Sequence, residues 1–478
     1  MSFVSLDFAL FMPLVFAVYW LLNKNVRVQN VFLLAASYFF YGWWSWKYLS
    51  IVLFCSIVNY VAGLLMMKED RHLARKAILI VCCVLSLGVL GIFKYYDFFV
   101  TSFVEAFSFF GVPLHAATLN LILPIGISFY TFHTLSYTIE VYRRKLEPTR
   151  DVVSFFLFVS IFPLAMAGPI ERATNLLPQI YKRRTFDYAL AVDGMRQILW
   201  GLFKKMVIAD NCAPIVNEIF GNAAGYSGSS LVLGAIFFAF QLYGDFAGYS
   251  DMALGVGKLL GFKFLQNFHY PYFATSYADY WKREHISLTQ WFMDYVYYPL
   301  VNKSDKLIWW NLCMIITFLI SGLWHGAAWT FVLWGLYQGI FIVISMNSAK
   351  SRKRFEKKYH LKDRLAWDFV KMAFTFALVC LGLVFFRAES VAQAVDYISG
   401  IFSASLFAVP QIFAGRKTII VFSIVLLLFV EWLNRDKQHG LQINNIKSPI
   451  LRGSFYFALI FIIWALRGQQ ETFIYFQF

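Results

Sequence analysis

Ile320-Ser321-Gly322-Leu323-Trp324-His325-Gly326-Ala327-Ala328-Trp329 joins two apolar runs, Leu307–Leu323 and Ala327–Met346. Each run is close to the ~20 residues that a helix needs to cross a ~30 Å hydrocarbon core. An imidazole at such a junction is costly in lipid and is a functional candidate by default. Neutral histidine accepts a proton at one ring nitrogen while the other N–H is held, which suits general-base work in a low-dielectric site. Gly322 and Gly326 bracket His325 and permit close helix approach or ligand access. The plainer alternative is a hydrogen-bonded histidine in helix packing.

The same kind of apolar run fills the rest of the 478 residues, which are 60% hydrophobic and 14% charged, with a mean hydropathy of +0.60. A soluble protein carries about 25% charged residues, so a single water-soluble globule is excluded, and so is intrinsic disorder. Aromatic residues make up 20%, as many spans with interfacial belts require. The expected spans are Phe3–Leu22, Val28–Trp44, Tyr48–Met67, Lys76–Phe93, Phe98–Val112, Leu119–Val141 and Val152–Ile170 in the first part of the chain. Tyr188–Phe220, with Arg196, Lys204, Lys205 and Asp210, reads as part span and part interfacial. Ser230–Ala247, the two runs around His325, Trp367–Phe386, Lys417–Leu433 and Ser454–Leu466 complete the set. The fold class is therefore an all-α polytopic membrane protein of about 11–14 membrane helices, short re-entrant or interfacial segments included. No internal repeat or linker divides it, so residues 1–478 are expected to form one domain. Phe3–Leu22 lacks a basic n-region and a small-residue cleavage site and reads as a retained span.

The net charge is +15, from 42 Lys and Arg against 27 Asp and Glu. In this chain the excess fits positive-inside anchoring against anionic lipid better than nucleic-acid binding. Basic residues follow the first and third spans, whereas the Trp-rich turn between them has only Lys47; this alternation places the N-terminus outside. Lys350–Arg364 holds eight basic residues against Glu356 and Asp363 and is expected in the cytoplasm, and the last span then carries the C-terminus outside. The six cysteines show neither the spacing of a zinc site nor that of a disulfide framework, and no metal is expected.

One long stretch is neither cleanly apolar nor a basic loop. Lys258–Lys306 is aromatic, dotted with charge, and contains Pro271 and Pro299. Irregular backbone at membrane depth must be buried in protein or line a wet cavity, so this stretch is an interfacial helix pair or the lining of a site. It contains His285, within a run in which Trp281, Leu288, Trp291 and Phe292 recur at helical spacing. Upstream, Tyr243-Gly244-Asp245-Phe246-Ala247-Gly248-Tyr249-Ser250-Asp251 embeds two carboxylates and two hydroxyls in an apolar helix. Buried carboxylates need partners, and a network locking helices around a cavity is favoured over a proton or ion relay. Met166-Ala167-Gly168-Pro169-Ile170-Glu171-Arg172 reads as a helix-end turn with a Glu171–Arg172 contact, and Pro124 with Gly126 as a kink within a span. Serine-hydrolase, P-loop, dinucleotide and zincin signatures do not occur.

With these motifs in order, the sequence resembles the membrane-bound O-acyltransferases, in the bacterial branch that includes alginate O-acetyltransferase and the D-alanyl-lipoteichoic acid membrane protein. Trp324-His325-Gly326 matches the family's near-invariant histidine, and His285-Ile286-Ser287-Leu288 the second histidine of the branch. The Tyr243–Gly255 stretch resembles a branch segment, with Ala247 in place of Ser, and Ala167-Gly168-Pro169-Ile170 and the ending Phe473-Ile474-Tyr475-Phe476-Gln477-Phe478 look like the alginate-type subgroup. Glu284 stands where the branch often has Trp, and Met293 where it often has Arg. The resemblance implies a ring of tilted helices around a central reaction cavity, with His325 and His285 as catalytic residues. Asp245, Tyr249, Ser250, Asp251 and Trp324 are then expected as a supporting network around the cavity.

The function this implies is transfer of an acetyl group from a cytoplasmic thioester, acetyl-CoA, for O-acetylation of an extracytoplasmic polysaccharide. The acceptor would be the polysaccharide itself or a periplasmic acetyltransferase- or esterase-like partner, at the bacterial inner (cytoplasmic) membrane. The enzymatic alternative is D-alanyl transfer toward teichoic acid from a carrier-protein thioester. A secondary transporter using Asp245 and Asp251 as a relay is the alternative of another class, and it lacks inverted repeats and paired broken helices.

Overall fold

The computed structural model describes every residue except 113, 115–116, 166–167, 412–416, 444–445 and 477–478, and it leaves out the side chains of Lys417 and Phe476. Met166, Ala167, Gln477 and Phe478, each part of a motif quoted above, lie outside the described residues. Among the described residues every regular element is a helix. The chain falls into two compact units, Met1–Met195 with Met252–Leu265, and Arg196–Asp251 with Gln266–Phe478.

The first unit contains α1 (Leu6–Leu21), α2 (Val26–Gly42), α3 (Trp46–Lys68), α4 (His72–Phe109), α5 (Ile127–Tyr142), α6 (Val152–Ser160) and α7 (Ala173–Tyr181). Side-chain caps fix several starts: Ser5 Oγ accepts from Phe8 N, Asn25 Oδ1 from Arg27 N and Val28 N, and Asp151 Oδ1 from Val153 N and Ser154 N. In a membrane, helices associate through small residues and interhelical hydrogen bonds, because lipid supplies no hydrophobic drive. Asn59 of α3 does this work, donating to Ser86 Oγ of α4 (3.0 Å) and accepting from Thr138 Oγ1 of α5 (2.6 Å).

Three expected boundaries change. Lys76–Phe93 and Phe98–Val112 are one 38-residue helix, α4, whose π-helical turn at Gly91–Tyr95 bridges the polar Lys94 between them. Leu119–Val141 is helical only from Ile127, because Gly126 takes φ +73° and Pro124, two residues before it, cannot continue a hydrogen-bond ladder. Val152–Ile170 stops at Ser160, where the chain turns at Phe162 and Pro163, so α6 is too short to span. The Glu171 carboxylate accepts from Asn175 Nδ2 (2.8 Å) and from Leu265 N, partners that Glu171-Arg172 alone did not suggest.

The second unit contains the end of α8 (Tyr188–Phe203), α9 (Asp210–Gly221), α10 (Gly228–Leu259) as far as Asp251, and α11 (Ile286–Phe292). It continues with α12 (Leu307–His325), α13 (Trp329–Asn347), α14 (Ala349–Lys358), α15 (Leu365–Arg387), α16 (Val391–Ile401), α17 (Lys417–Leu433) and α18 (Pro449–Leu466). Across the described residues seven helices are long and apolar enough to cross a membrane, and α1 and α17 are shorter apolar helices. Between α8 and α9, Lys204–Ala209 forms a π-helical turn. All six cysteines are free, and all but Cys83 are buried.

A glycine decides the start of α5. At Gly126 a Cβ would sit 2.3 Å from Ala165 O, on a backbone that L-residues rarely adopt. Gly126→Ala is expected to destabilise the chain by about 1–2 kcal/mol or more, read as a lower thermal midpoint in detergent. An unchanged midpoint would contradict the assignment.

Candidate active site

α12 and α13 form a hairpin whose axes approach closely because glycine faces glycine. A Cβ on Gly322 would meet Phe331 O at 2.3 Å and Gly335 Cα at 3.1 Å. His325 is the last residue of α12, where Gly326 turns to extended backbone and its N–H donates to Gly322 O (3.3 Å). The imidazole is 4% exposed. Aromatic rings wall it in, with centroids 4.9 Å away at Trp334, 5.0 Å at Trp324, 5.5 Å at Phe386 and 5.6 Å at Tyr475.

His285 lies beside it, with ring centroids 6.3 Å apart. It caps α11 in the left-handed region, φ +43°, a conformation that directs the ring inward and is strained for a side chain with a Cβ. Asn267 holds it there: His285 Nδ1 pairs with Asn267 Oδ1 at 3.1 Å, Ser287 Oγ donates to the same oxygen at 2.9 Å, and Ile286 N donates to Asn267 O. Asn267 Nδ2 in turn donates to Ser250 Oγ at 3.3 Å. An amide oxygen can only accept, so His285 carries its proton on Nδ1 and presents Nε2 as an acceptor. Burial lowers its pKa well below the ordinary imidazole range, which keeps it neutral.

The two expected carboxylates are charge-compensated. The π-helical turn after α8 points two consecutive lysines into the interior. Lys204 Nζ meets Asp251 Oδ2 at 2.8 Å and Glu431 Oε1 at 3.1 Å, and the Tyr243 hydroxyl donates to Glu431 at 2.9 Å. Lys205 Nζ meets Asp210 Oδ1 at 2.7 Å and Asp245 Oδ1 at 2.8 Å. Asp245 Oδ2 accepts from Ile474 N at 2.7 Å, and Lys205 donates to Glu471 O at 3.1 Å. The cluster thereby ties down the segment that brings Tyr475 to His325. Tyr249 packs its ring on Phe473 at 4.6 Å.

The structure brings His325, His285 and Trp324 together, joins Ser250 to His285 through Asn267, and places Asp245 and Asp251 in the lysine cluster, with Tyr249 on Phe473. Trp281 and Leu288, expected on one amphipathic helix, belong to separate elements, since α11 covers only Ile286–Phe292. Asn267, Glu431 and Tyr475 were not anticipated as site residues. Glu431 was legible as a lone acid in the apolar run Lys417–Leu433; Asn267 and Tyr475 carried no local signal. Among the described residues no group of three or more His, Cys, Asp or Glu is arranged around a common metal position.

A cavity of about 430 Å3 opens beside the hairpin, lined by Trp281, Lys282, Met293, Met314, Phe318 and Ser321 among others. Ser321 lies one turn before His325 on α12, and Trp281 packs on Phe318 at 4.9 Å. Met346, at the end of α13, lies on the same wall.

Residues 143–385 match the model of the MBOAT, or membrane-bound O-acyltransferase, family. The chain belongs to that family. It is 36% identical to a protein of Azotobacter vinelandii named probable alginate O-acetylase AlgI, over 88% of this chain and 82% of that one. It is 30% identical to the peptidoglycan O-acetyltransferase of Helicobacter pylori, over 98% of this chain and 95% of that one. The teichoic acid D-alanyltransferase of Bacillus subtilis is 30% identical over 56% of this chain and 70% of its own length. The chain is thus a multi-pass membrane protein and an O-acyltransferase.

Lys205 compensates two buried carboxylates at once. Removing one partner of a buried ion pair costs about 3–5 kcal/mol, so Lys205→Met is expected to lower the thermal midpoint of the family fold sharply. A midpoint within error of the wild type would show that the cluster is not a structural clamp.

Proposed function

We propose that this chain takes an acetyl group from acetyl-CoA at the cytoplasmic face and passes it to a hydroxyl on the extracytoplasmic side of a bacterial inner membrane, for O-acetylation of a polysaccharide. The acceptor is the polysaccharide or a periplasmic partner that relays the group. One observation carries the reading: a buried imidazole at the turn of the α12–α13 hairpin, next to a second, neutral histidine. The names of the alginate and peptidoglycan relatives support acetyl as the group and a polysaccharide as its destination.

The chemistry needs one base and a dry site. His325 takes the acceptor's hydroxyl proton as the oxygen attacks the thioester carbonyl. The C–O bond forms, the C–S bond breaks, and the imidazolium returns the proton to the thiolate, leaving CoA as its thiol. Excluding water suppresses hydrolysis of the thioester, the competing reaction. The aromatic wall of Trp324, Trp334, Phe386 and Tyr475 suits that task.

The cavity suits the donor. Trp334, against His325, and Met346, on the cavity wall, are twelve residues apart on α13, or about 18 Å along a helix. A phosphopantetheine arm has roughly fourteen bonds from phosphorus to acyl carbon and reaches about 16 Å at the spacing of extended backbone. Where that arm would end, α14 follows with Lys350, Arg352, Lys353, Arg354, Lys357 and Lys358, and Arg352 is anchored on Ser345 O. These cations complement the phosphates of CoA and draw it to this face.

Purified protein supplied with radiolabelled acetyl-CoA and polysaccharide, with and without its periplasmic partner, should transfer label. His325→Ala should lower the rate about 100-fold or more without shifting the thermal midpoint. Normal transfer by folded His325→Ala would overturn the assignment, and transfer only from a D-alanyl carrier thioester would replace the donor.

A further inference from the structure

An indole N–H can only donate, and burying it without an acceptor is costly. Tryptophans elsewhere in the chain find that acceptor. Trp20 Nε1 donates to Leu259 O at 3.1 Å, Trp309 Nε1 to Leu300 O at 2.9 Å, Trp310 Nε1 to Ser304 O at 2.8 Å and Trp367 Nε1 to Glu356 Oε1 at 3.1 Å. Trp281 and Trp334 do not. They are 5% and 4% exposed, and neither Nε1 has a hydrogen-bond partner among the described residues. The two rings pack on each other, with centroids 5.9 Å apart. Two unanswered donors therefore share one place.

That place lies between the cavity and His325. Trp281 is on the cavity wall with Phe318 and Ser321. Trp334 packs on the His325 imidazole at 4.9 Å, with the ring planes at 78°. The hairpin fixes its level. Trp334 precedes Gly335 and Ser321 precedes Gly322, and a Cβ on Gly335 would come within 3.2 Å of Gly322 Cα. Phe386 packs on Trp334 at 5.3 Å and on His325 at 5.5 Å, which wedges the indole beside the imidazole. From the cavity inward the order is Trp281, Trp334, His325.

Acyl transfer calls for a donor of this kind. As a hydroxyl oxygen adds to a thioester carbonyl, the C=O electron pair moves onto the carbonyl oxygen, and a preorganised hydrogen bond in a dry site stabilises that charge. An attacking oxygen hydrogen-bonded to His325 stands about 3 Å from the ring, and the carbonyl carbon about 3 Å beyond it. The indole packed on the imidazole is within that span. The adjacent backbone offers less, since Gly326 N already donates to Gly322 O.

We propose that Trp334 is a catalytic residue whose Nε1–H donates to the thioester carbonyl oxygen as it becomes an oxyanion. The proposal rests on the role of His325 as base put forward above. The indole keeps its proton throughout. The electron pair returns to re-form the C=O bond as the C–S bond breaks, and the proton that left the hydroxyl passes through His325 to the thiolate. Any aromatic ring would exclude water here; the buried, unanswered N–H is what packing leaves unexplained.

Trp334→Phe keeps an aromatic ring and removes the N–H. Trp334→benzothienylalanine, with sulfur in place of the N–H, also keeps the shape of the indole. Both should lower kcat for acetyl transfer about 100-fold or more. KM for acetyl-CoA should change by less than about 3-fold, and the isostere should leave the thermal midpoint in detergent unchanged. Near-wild-type kcat in the isostere overturns the proposal, and so does a loss confined to KM.

A ketone analogue of acetyl-CoA, with a methylene in place of the thioester sulfur and a carbon-13 carbonyl, gives a readout without turnover. The infrared C=O band of the bound analogue should lie at lower frequency in the wild type than in the isostere, because a hydrogen bond polarises the carbonyl. Equal frequencies overturn the proposal. His325→Ala separates the two readings, since it should stop transfer and keep the lowered band. Normal transfer by folded His325→Ala removes the base, whereas a lowered band in that variant keeps the donor.

Discussion

Charge inside a hydrophobic enclosure has to be answered by charge or by a proton, and the second unit of this protein is arranged around that requirement. Lys204 and Lys205 are adjacent in sequence, and a regular α-helix would point them about 100° apart on a single outward arc. The π-helical turn that contains them lets each reach its own pair of acids, Asp251 with Glu431 and Asp210 with Asp245. Three segments distant in sequence, α10, α17 and the C-terminal stretch, are thereby pinned to one turn. The last of them carries Tyr475 to the histidines, because Asp245 accepts from Ile474 N and Lys205 donates to Glu471 O. Without the lysines, those carboxylates would have to be neutralised or exposed, and the candidate site would lose one of its walls.

The hairpin that carries His325 meets a different demand. An imidazole proposed as the base must be buried deeply enough to exclude water and yet lie where a substrate can reach it. Ending α12 at His325 achieves both, since Gly326 turns the chain and Trp334 of the returning helix covers the ring. The close approach of Gly322 and Gly335 leaves no gap between the two helices at that depth. His285 reaches the same place from irregular backbone, at the expense of a left-handed conformation held by Asn267. Irregular backbone of this kind is tolerated at depth only where protein surrounds it.

How much of this was legible beforehand depends on the range of the interaction. The α12–α13 hairpin, the non-spanning stretch around His285 and the all-helical class follow from local hydropathy and from where charge interrupts it. The two acids of α10 were legible as needing partners, and Lys204 and Lys205 stood out as charges in a mostly apolar run, but their pairing depends on a π-helical turn that hydropathy does not encode. The expected spans Lys76–Phe93 and Phe98–Val112 read as separate for the same reason, since the π-helical turn that joins them into α4 is not encoded in hydropathy. Asn267 and Tyr475 are ordinary residues until the fold brings them to the histidines. Glu284 was visible as a departure from the branch's usual Trp; that its Oε2 is buried without a partner is a fact of packing.

The central claim is directional: a thioester on the face bearing α14 supplies an acyl group that leaves on the other. Proteoliposomes holding the protein in a known orientation test it, with acetyl-CoA restricted to one side and the acceptor, with any partner, to the other. The account requires label to reach the acceptor only when acetyl-CoA is on the side of Lys350–Arg364. Transfer that needs acetyl-CoA on the opposite side would contradict it.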